Sequence, residues 1–231
     1  MEKNKLSDLI YTKVSQKMDL TPLAEFEDLE TIVTPDGRTV GTFRAYTAAK
    51  VKKFSIAQFS IAPGMDYINA VIKPTPQYNI SRFACNYMKM PDKIQFDVDL
   101  YPAVDIAVRQ DFIDKYYEQL TDIYLKGKNA DYFDWKLSDR SYVRAGTSPY
   151  FFMSAADVQY QDTIHSLIIT YLDVALQMFD EEEEVSPEEA RHIEYRLDYI
   201  NRILLEREPE RAMVEKAFGK QLTERLGMAM T

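Results

Sequence analysis

Apolar and polar positions follow three regimes along the chain. In residues 5–18, Leu6, Leu9, Ile10, Val14 and Met18 share one face at helical spacing, which predicts a short amphipathic helix that breaks at Thr21-Pro22. Between Glu30 and Pro102 the pattern becomes strand-like, in the runs ETIVT, RTVGTFRAYT, VKKFSIAQFSIA, YINAVIK, RFACNYM and KIQFDVDLY. Pro35-Asp36-Gly37 and Pro63-Gly64 supply tight turns between them. Strands this closely connected pair antiparallel, because parallel neighbours need long crossovers.

Helical spacing returns over residues 109–126 and 155–180; in the second stretch Ile164, Leu167, Ile168, Tyr171, Leu172, Ala175 and Leu176 form a wide apolar stripe. The acidic run Glu181–Glu184 reads as a solvated helix end and loop. Ser186-Pro187-Glu188-Glu189 then combines an N-cap, a proline at the first helical position and a capping-box glutamate, opening a helix to about Leu205. A last helix follows Pro209. Helices before and after a block of strands predict an α+β fold, a three-layer α/β/α sandwich on a central antiparallel sheet. The 231 residues, 46% of them hydrophobic, suffice for one core, so a single domain over residues 1–231 is expected.

Composition narrows the function by exclusion. A net charge of -9 disfavours generic binding to nucleic acid or anionic membrane. Cys85 is the only cysteine, so an intramolecular disulfide or dithiol is excluded, and with His165 and His192 it makes too small a set for a Cys/His zinc site. No metal is expected. The N-terminus lacks a secretory pattern and no segment reaches the roughly 20 apolar residues of a membrane span, so a cytoplasmic location is expected, or the plastid stroma after loss of a transit peptide. Nucleotide-binding glycine motifs, a G-x-S-x-G elbow and H-E-x-x-H are absent. Both histidines fall on expected helices and read as packed or solvated. Carboxylates are too abundant for any pair to be informative, and the residues alone lead to an α+β domain with an aromatic interior.

Two separated segments carry a resemblance. In residues 65–102, Phe83-Ala84-Cys85-Asn86 and Asp99-Leu100-Tyr101-Pro102 stand where the ferredoxin-dependent bilin reductases have a "phenylalanine, small, small, acid" strand and a strand ending in Asp-Leu-x-Pro. In residues 207–227, Glu208, Arg211, Phe218 and Gly219 are similar to that family's closing helical segment. The resemblance implies the same sandwich, with bilin held between the central sheet and the C-terminal helices. It also implies reduction of biliverdin IXα, or a dihydrobiliverdin, to a phytobilin, with no bound cofactor. Electrons would come singly from the [2Fe-2S] cluster of reduced ferredoxin, and protons from protein side chains. Ferredoxin and the linear tetrapyrrole are the implied partners, with heme oxygenase or another bilin reductase as neighbours in the reaction sequence, and the protein is expected to be a monomer.

The resemblance places Asn69, Asn86 and Glu208 at catalytic positions. Relatives have histidine, asparagine or aspartate at the place of Asn69, and most have aspartate at the place of Asn86; an amide orients but does not cycle a proton, which leaves Glu208 as the donor of the three. The amide pattern leans toward the A-ring diene as the site of reduction. Expected substrate contacts are Phe83, Tyr87, Gln95, Arg144, Phe152 and Arg211. From the residues alone, Phe83, Tyr87, Phe151 and Phe152 read first as core and Arg211 as a structural ion pair, while Glu208 reads equally as a helix cap. Where relatives keep an arginine for a propionate this chain has Ser154 or Ala155, so Arg144, Lys93 or Arg82 would serve instead. Ferredoxin is acidic, which suggests a local basic face including Lys50, Lys52 and Lys53. Two alternatives stay open: a red chlorophyll catabolite reductase-like enzyme, and a non-catalytic bilin carrier.

Overall fold

A computed structural model describes residues 5–207 and 211–231. The first helix, α1 (Lys5–Lys17), buries Leu6, Ile10 and Val14 as its spacing predicts. Short strands β1 (Thr21–Pro22) and β2 (Ile32–Val33) flank a 3-10 segment, Ala24–Leu29. The long strands follow: β3 (Thr39–Ala48), β4 (Val51–Ala62), β5 (Met65–Pro74), β6 (Arg82–Lys89), β7 (Lys93–Tyr101) and, after four short helical segments, β8 (Phe152–Asp157). Among the described residues they form one antiparallel sheet in the order β1-β3-β4-β5-β6-β7-β8, with β2 also on β3. The expected sandwich is correct in class and in strand direction.

The helices divide between the two faces. On one lie α1, α2 (Gln110–Tyr116), α3 (Thr121–Lys128) and the 21-residue α5 (Gln161–Glu181), whose apolar stripe closes over Phe54, Ile56, Ile68, Phe83, Cys85, Tyr87, Phe96, Val98 and Phe152. Lys13–Asp173 and Lys17–Asp180 ion pairs lie along the α1–α5 contact. The opposite face carries α6 (Pro187–Glu206), α7 (Arg211–Phe218) and α8 (Lys220–Met230). Ser186 caps α6 as expected, its hydroxyl accepting the Glu189 amide at 3.2 Å. Gly219 sits at φ 79°, a left-handed turn that separates α7 from α8 where one helix was expected.

Three local expectations need correction. The helix expected from 155 begins at Gln161, because Phe152–Asp157 pairs with β7 from Val98 to Lys93 and completes the sheet. The 109–126 helix is interrupted by a 3-10 turn at Tyr117–Leu120. The acidic run is not simply solvated: Glu182 accepts the Tyr116 hydroxyl at 2.6 Å and pairs with Lys115.

Candidate active site

Register decides what meets on the face under α6–α8. Because strand side chains alternate, residues paired across successive strands share a face in rows. One row runs Ala57, Asn69, Asn86, Asp97, Met153 from β4 to β8. The next contains Phe59, Tyr67, Met88, Gln95 and Ala155. The row on the other side contains Ser55, Val71, Ala84 and Asp99. A polar centre with small side chains at Ala57, Ala84 and Ala155 makes a flat floor.

The helices wall this floor. Phe218 of α7 meets Phe59 edge-on at 5.4 Å, and Phe59 contacts Tyr67 at 5.1 Å. On the other side Ile200 and Leu204 of α6 cover Val71, Ala84 and Tyr101. Gln95 is exposed and Met88, Met153 and Ala155 are half-buried, so the floor stays accessible toward β7 and β8.

The central row is a hydrogen-bonded network. Asn86 Oδ1 accepts from the Tyr67 hydroxyl at 2.6 Å and from Asn69 Nδ2 at 3.0 Å. Those two donors fix the amide plane, and Asn86 Nδ2 donates to Asp97 Oδ1 at 2.9 Å. Asn69 is 8% exposed, and its Oδ1 has no hydrogen-bond partner among the described residues. A buried amide oxygen left this way is an acceptor for a ligand N–H.

Beside the network, in the adjacent row of the same face, sits Asp99, whose carboxylate accepts the Ser148 amide at 2.9 Å and hydroxyl at 2.5 Å. Burial pushes this carboxyl up to about 6 despite those bonds and nearby Arg82. Among the described residues no cluster of His, Cys, Asp and Glu could hold a metal ion, and no helix is long and apolar enough to cross a membrane.

The family profile described as ferredoxin-dependent bilin reductase matches residues 7–228, nearly the entire chain. The chain belongs to the ferredoxin-dependent bilin reductase family. It is 24% identical over 189 residues to a phycoerythrobilin:ferredoxin oxidoreductase of Prochlorococcus marinus (strain AS9601), covering 78% of this chain and 72% of that one. In fold it is similar to phytochromobilin synthase from tomato, solved in complex with biliverdin, with a TM-score of 0.85, 18% identity, and 96% and 80% of the two chains covered. Members of this family are oxidoreductases, so the chain is that of an enzyme family acting on bilins.

The structure sorts the expected site residues. Asn69, Asn86 and Gln95 lie on the face that carries the C-terminal helices, Gln95 on its exposed part toward β7 and β8. Phe83, Tyr87 and Phe152 do not: they point to the opposite face, packed in the core under α5, with Tyr87 against the buried His165 ring at 5.5 Å. Their odd offset from Asn86, or their pairing across the sheet with residues of that other face, puts them behind the floor. Phe151 is also buried. Glu208 lies outside the described residues.

The expected basic contacts are engaged elsewhere. Arg211 pairs with Glu215 at 2.9 Å and Glu224 at 3.2 Å, its structural reading. Arg144 Nη1 donates to the Ser138 carbonyl at 2.5 Å, on α4 (Ser141–Gly146). Arg82 is buried on the floor side, bonding Asn201 and lying over the Tyr101 ring at 5.1 Å. Lys93 lines an open cavity at the β8 edge with Tyr132, Phe133 and Tyr160.

The lysine cluster expected to receive ferredoxin also needs correction. Lys50 Nζ donates to the Phe179 and Glu182 carbonyls at the end of α5, at 2.8 and 2.7 Å. Lys53 is 9% exposed and donates to the Ala229 carbonyl at 2.7 Å, with burial and the neighbouring cations Lys73 and Arg82 pulling its ammonium down to about 8. Only Lys52 of the three is substantially exposed, near Glu194. Asp97 and Tyr67 were not anticipated; their signal was the alternation that puts Tyr67 with Asn69 and Asp97 with Asp99 on single faces, which becomes a site only once register is known.

Proposed function

We propose that this protein reduces a linear tetrapyrrole, biliverdin IXα or a dihydrobiliverdin, to a phytobilin, in one-electron steps fed by reduced ferredoxin. The observation that carries this reading is the Asn69 Oδ1 acceptor, buried in a flat polar row under α6–α8 and without a partner among the described residues. A bilin is a flat array of pyrrole N–H donors, and one of these satisfies that oxygen. The biliverdin complex of the tomato relative supports the same ligand class.

In this reading the protein binds and orients the bilin and moves protons, while ferredoxin supplies electrons and the protein holds no redox cofactor of its own. Asn69 and Asn86 orient the ring nitrogens; Tyr67 holds Asn86 in register. Glu208 supplies a proton from the C-terminal segment. The walls formed by Phe59, Phe218, Ile200 and Leu204 exclude water from the ring faces. The amides at 69 and 86 favour reduction of the A-ring diene.

The test is anaerobic mixing of the purified protein with biliverdin and a ferredoxin-reducing system, followed by absorption. Stepwise conversion to a shorter-wavelength bilin supports the proposal. A bound spectrum that never changes replaces it with a carrier role, and absence of binding removes the bilin reading. Glu208→Gln is expected to bind biliverdin and lose turnover; wild-type turnover in that variant removes Glu208 from the mechanism.

A further inference from the structure

We propose that Asp97 is the proton-exchanging carboxyl of the sheet floor, taking over on β7 the role that the amide of Asn86 cannot perform on β6. This rests on the bilin-reducing reading above and deepens it.

Three observations lead there. Asn86 and Asp97 are cross-strand partners on the same face, so their side chains stand within about 5 Å of each other at the backbone. That spacing is small against a ligand of four pyrrole rings, and both side chains fall beneath one bound bilin. Second, Asn86 is oriented: with its Oδ1 held by Tyr67 and Asn69, its Nδ2 is aimed at Asp97 Oδ1, at 2.9 Å. An amide N–H at this place stabilises the carboxylate left when Asp97 gives up a proton. Third, the neighbouring carboxyl on this face is unsuited to the task. Asp99 is 1% exposed, tied to the Ser148 amide and hydroxyl. Asp97 is half-buried on the side where the floor is accessible, so solvent can return its proton.

The step balances as follows. Reduced ferredoxin gives one electron to the bound bilin and is oxidised. The Asp97 O–H bond breaks, a C–H or N–H bond forms on the bilin radical, and the negative charge passes to Asp97, facing Asn86 Nδ2. Water reprotonates the carboxylate before the second electron. Glu208 is then one of two carboxyls serving the ligand, and the amide pair at 69 and 86 becomes the holder of a proton donor one strand further on.

The experiment uses the full chain with biliverdin, first without and then with the ferredoxin-reducing system. In the wild-type protein the spectrum of bound biliverdin is expected to change with pH, and Asp97→Asn is expected to bind biliverdin, lose that change and turn over at least 100-fold more slowly. Asn86→Asp added to Asp97→Asn returns a carboxyl to the floor and is expected to recover turnover at least tenfold. Asp97→Asn that binds biliverdin, keeps the pH-dependent spectrum and turns over within threefold of wild type overturns the assignment. Should Asp97→Asn fail to bind, Asp97→Glu decides: retained turnover supports a carboxyl role, and equal loss overturns it. Wild-type protein that neither binds nor reduces biliverdin sinks the bilin reading itself, an outcome distinct from any behaviour of the variants.

Discussion

Asp99 and Ser148 are joined by two hydrogen bonds, amide to carboxylate at 2.9 Å and hydroxyl to carboxylate at 2.5 Å, across 49 residues of sequence. This pair ties the end of β7 to the turn that leads into β8, one row from the polar row on the same face. Burial nonetheless pushes the Asp99 carboxyl up to about 6 from the usual 3.8.

That displacement predicts the sign of a pH effect. Below about pH 3.8 both folded and unfolded chains hold the proton, and Asp99 has no pH-dependent influence. As pH rises toward 6 the unfolded chain ionises first, so stability falls, by on the order of 3 kcal/mol in total. Asp99→Asn does not titrate. Denaturant unfolding at low and neutral pH should show the variant gaining on wild type as pH rises; a constant difference between them means Asp99 is not displaced upward.

Tyr67→Phe removes one of the two donors that fix Asn86 Oδ1. Loss of a part-buried hydrogen bond is worth about 1 kcal/mol, or roughly 2–4 °C in Tm for a chain of this size. Turnover should fall several-fold while bilin affinity changes little, because Asn86 loses orientation rather than presence. A fall in affinity with unchanged turnover means that Tyr67 contacts the ligand and does not position Asn86.

Gly127→Ala tests the packing of α3 on β8. A Cβ there comes within 2.8 Å of the Phe152 ring, which is itself stacked on Phe96 at a centroid distance of 5.8 Å. Overpacking of this kind is expected to destabilise by about 1–3 kcal/mol. Adding Phe152→Leu should recover part of the loss, which thermal unfolding of the single and double variants would measure.

Ser186→Ala deletes the hydroxyl that accepts the Glu189 amide at the start of α6. The expected loss is about 1 kcal/mol, and hydrogen exchange should rise in the first turn of α6. The floor lies several turns away, at Ile200 and Leu204, so the bilin spectrum should be unchanged. Altered bilin binding in this variant means that α6 moves as a rigid unit.

Features with local physical causes were legible in the sequence. The spacing of Leu6, Ile10 and Val14, the strand-turn pattern from β3 to β7, and the Ser186-Pro187-Glu189 start of α6 rest on neighbours within a few residues, and each appears in the structure. The match of two segments to the bilin reductases located Asn69 and Asn86, which do share a row. Alternation already separated Asn86 from Phe83 and Tyr87, since an offset of three or one residues turns a strand side chain to the other face. Weighing residue type over that parity put aromatic core residues among the expected contacts.

What only the tertiary structure decided was the register between strands and the packing of helices on them. Nothing local links Asn86 to Asp97, which are 11 residues apart, or Lys53 to Ala229, which are 176 apart. The pairing of β6 with β7 put a carboxyl beside an amide, and the folding of α8 over β4 buried a lysine that charge alone assigned to the surface. Cross-strand register and burial are set by the whole hydrophobic core, so residues that look equivalent along the chain, such as Asp97 and Asp99, acquire different environments and different chemistry.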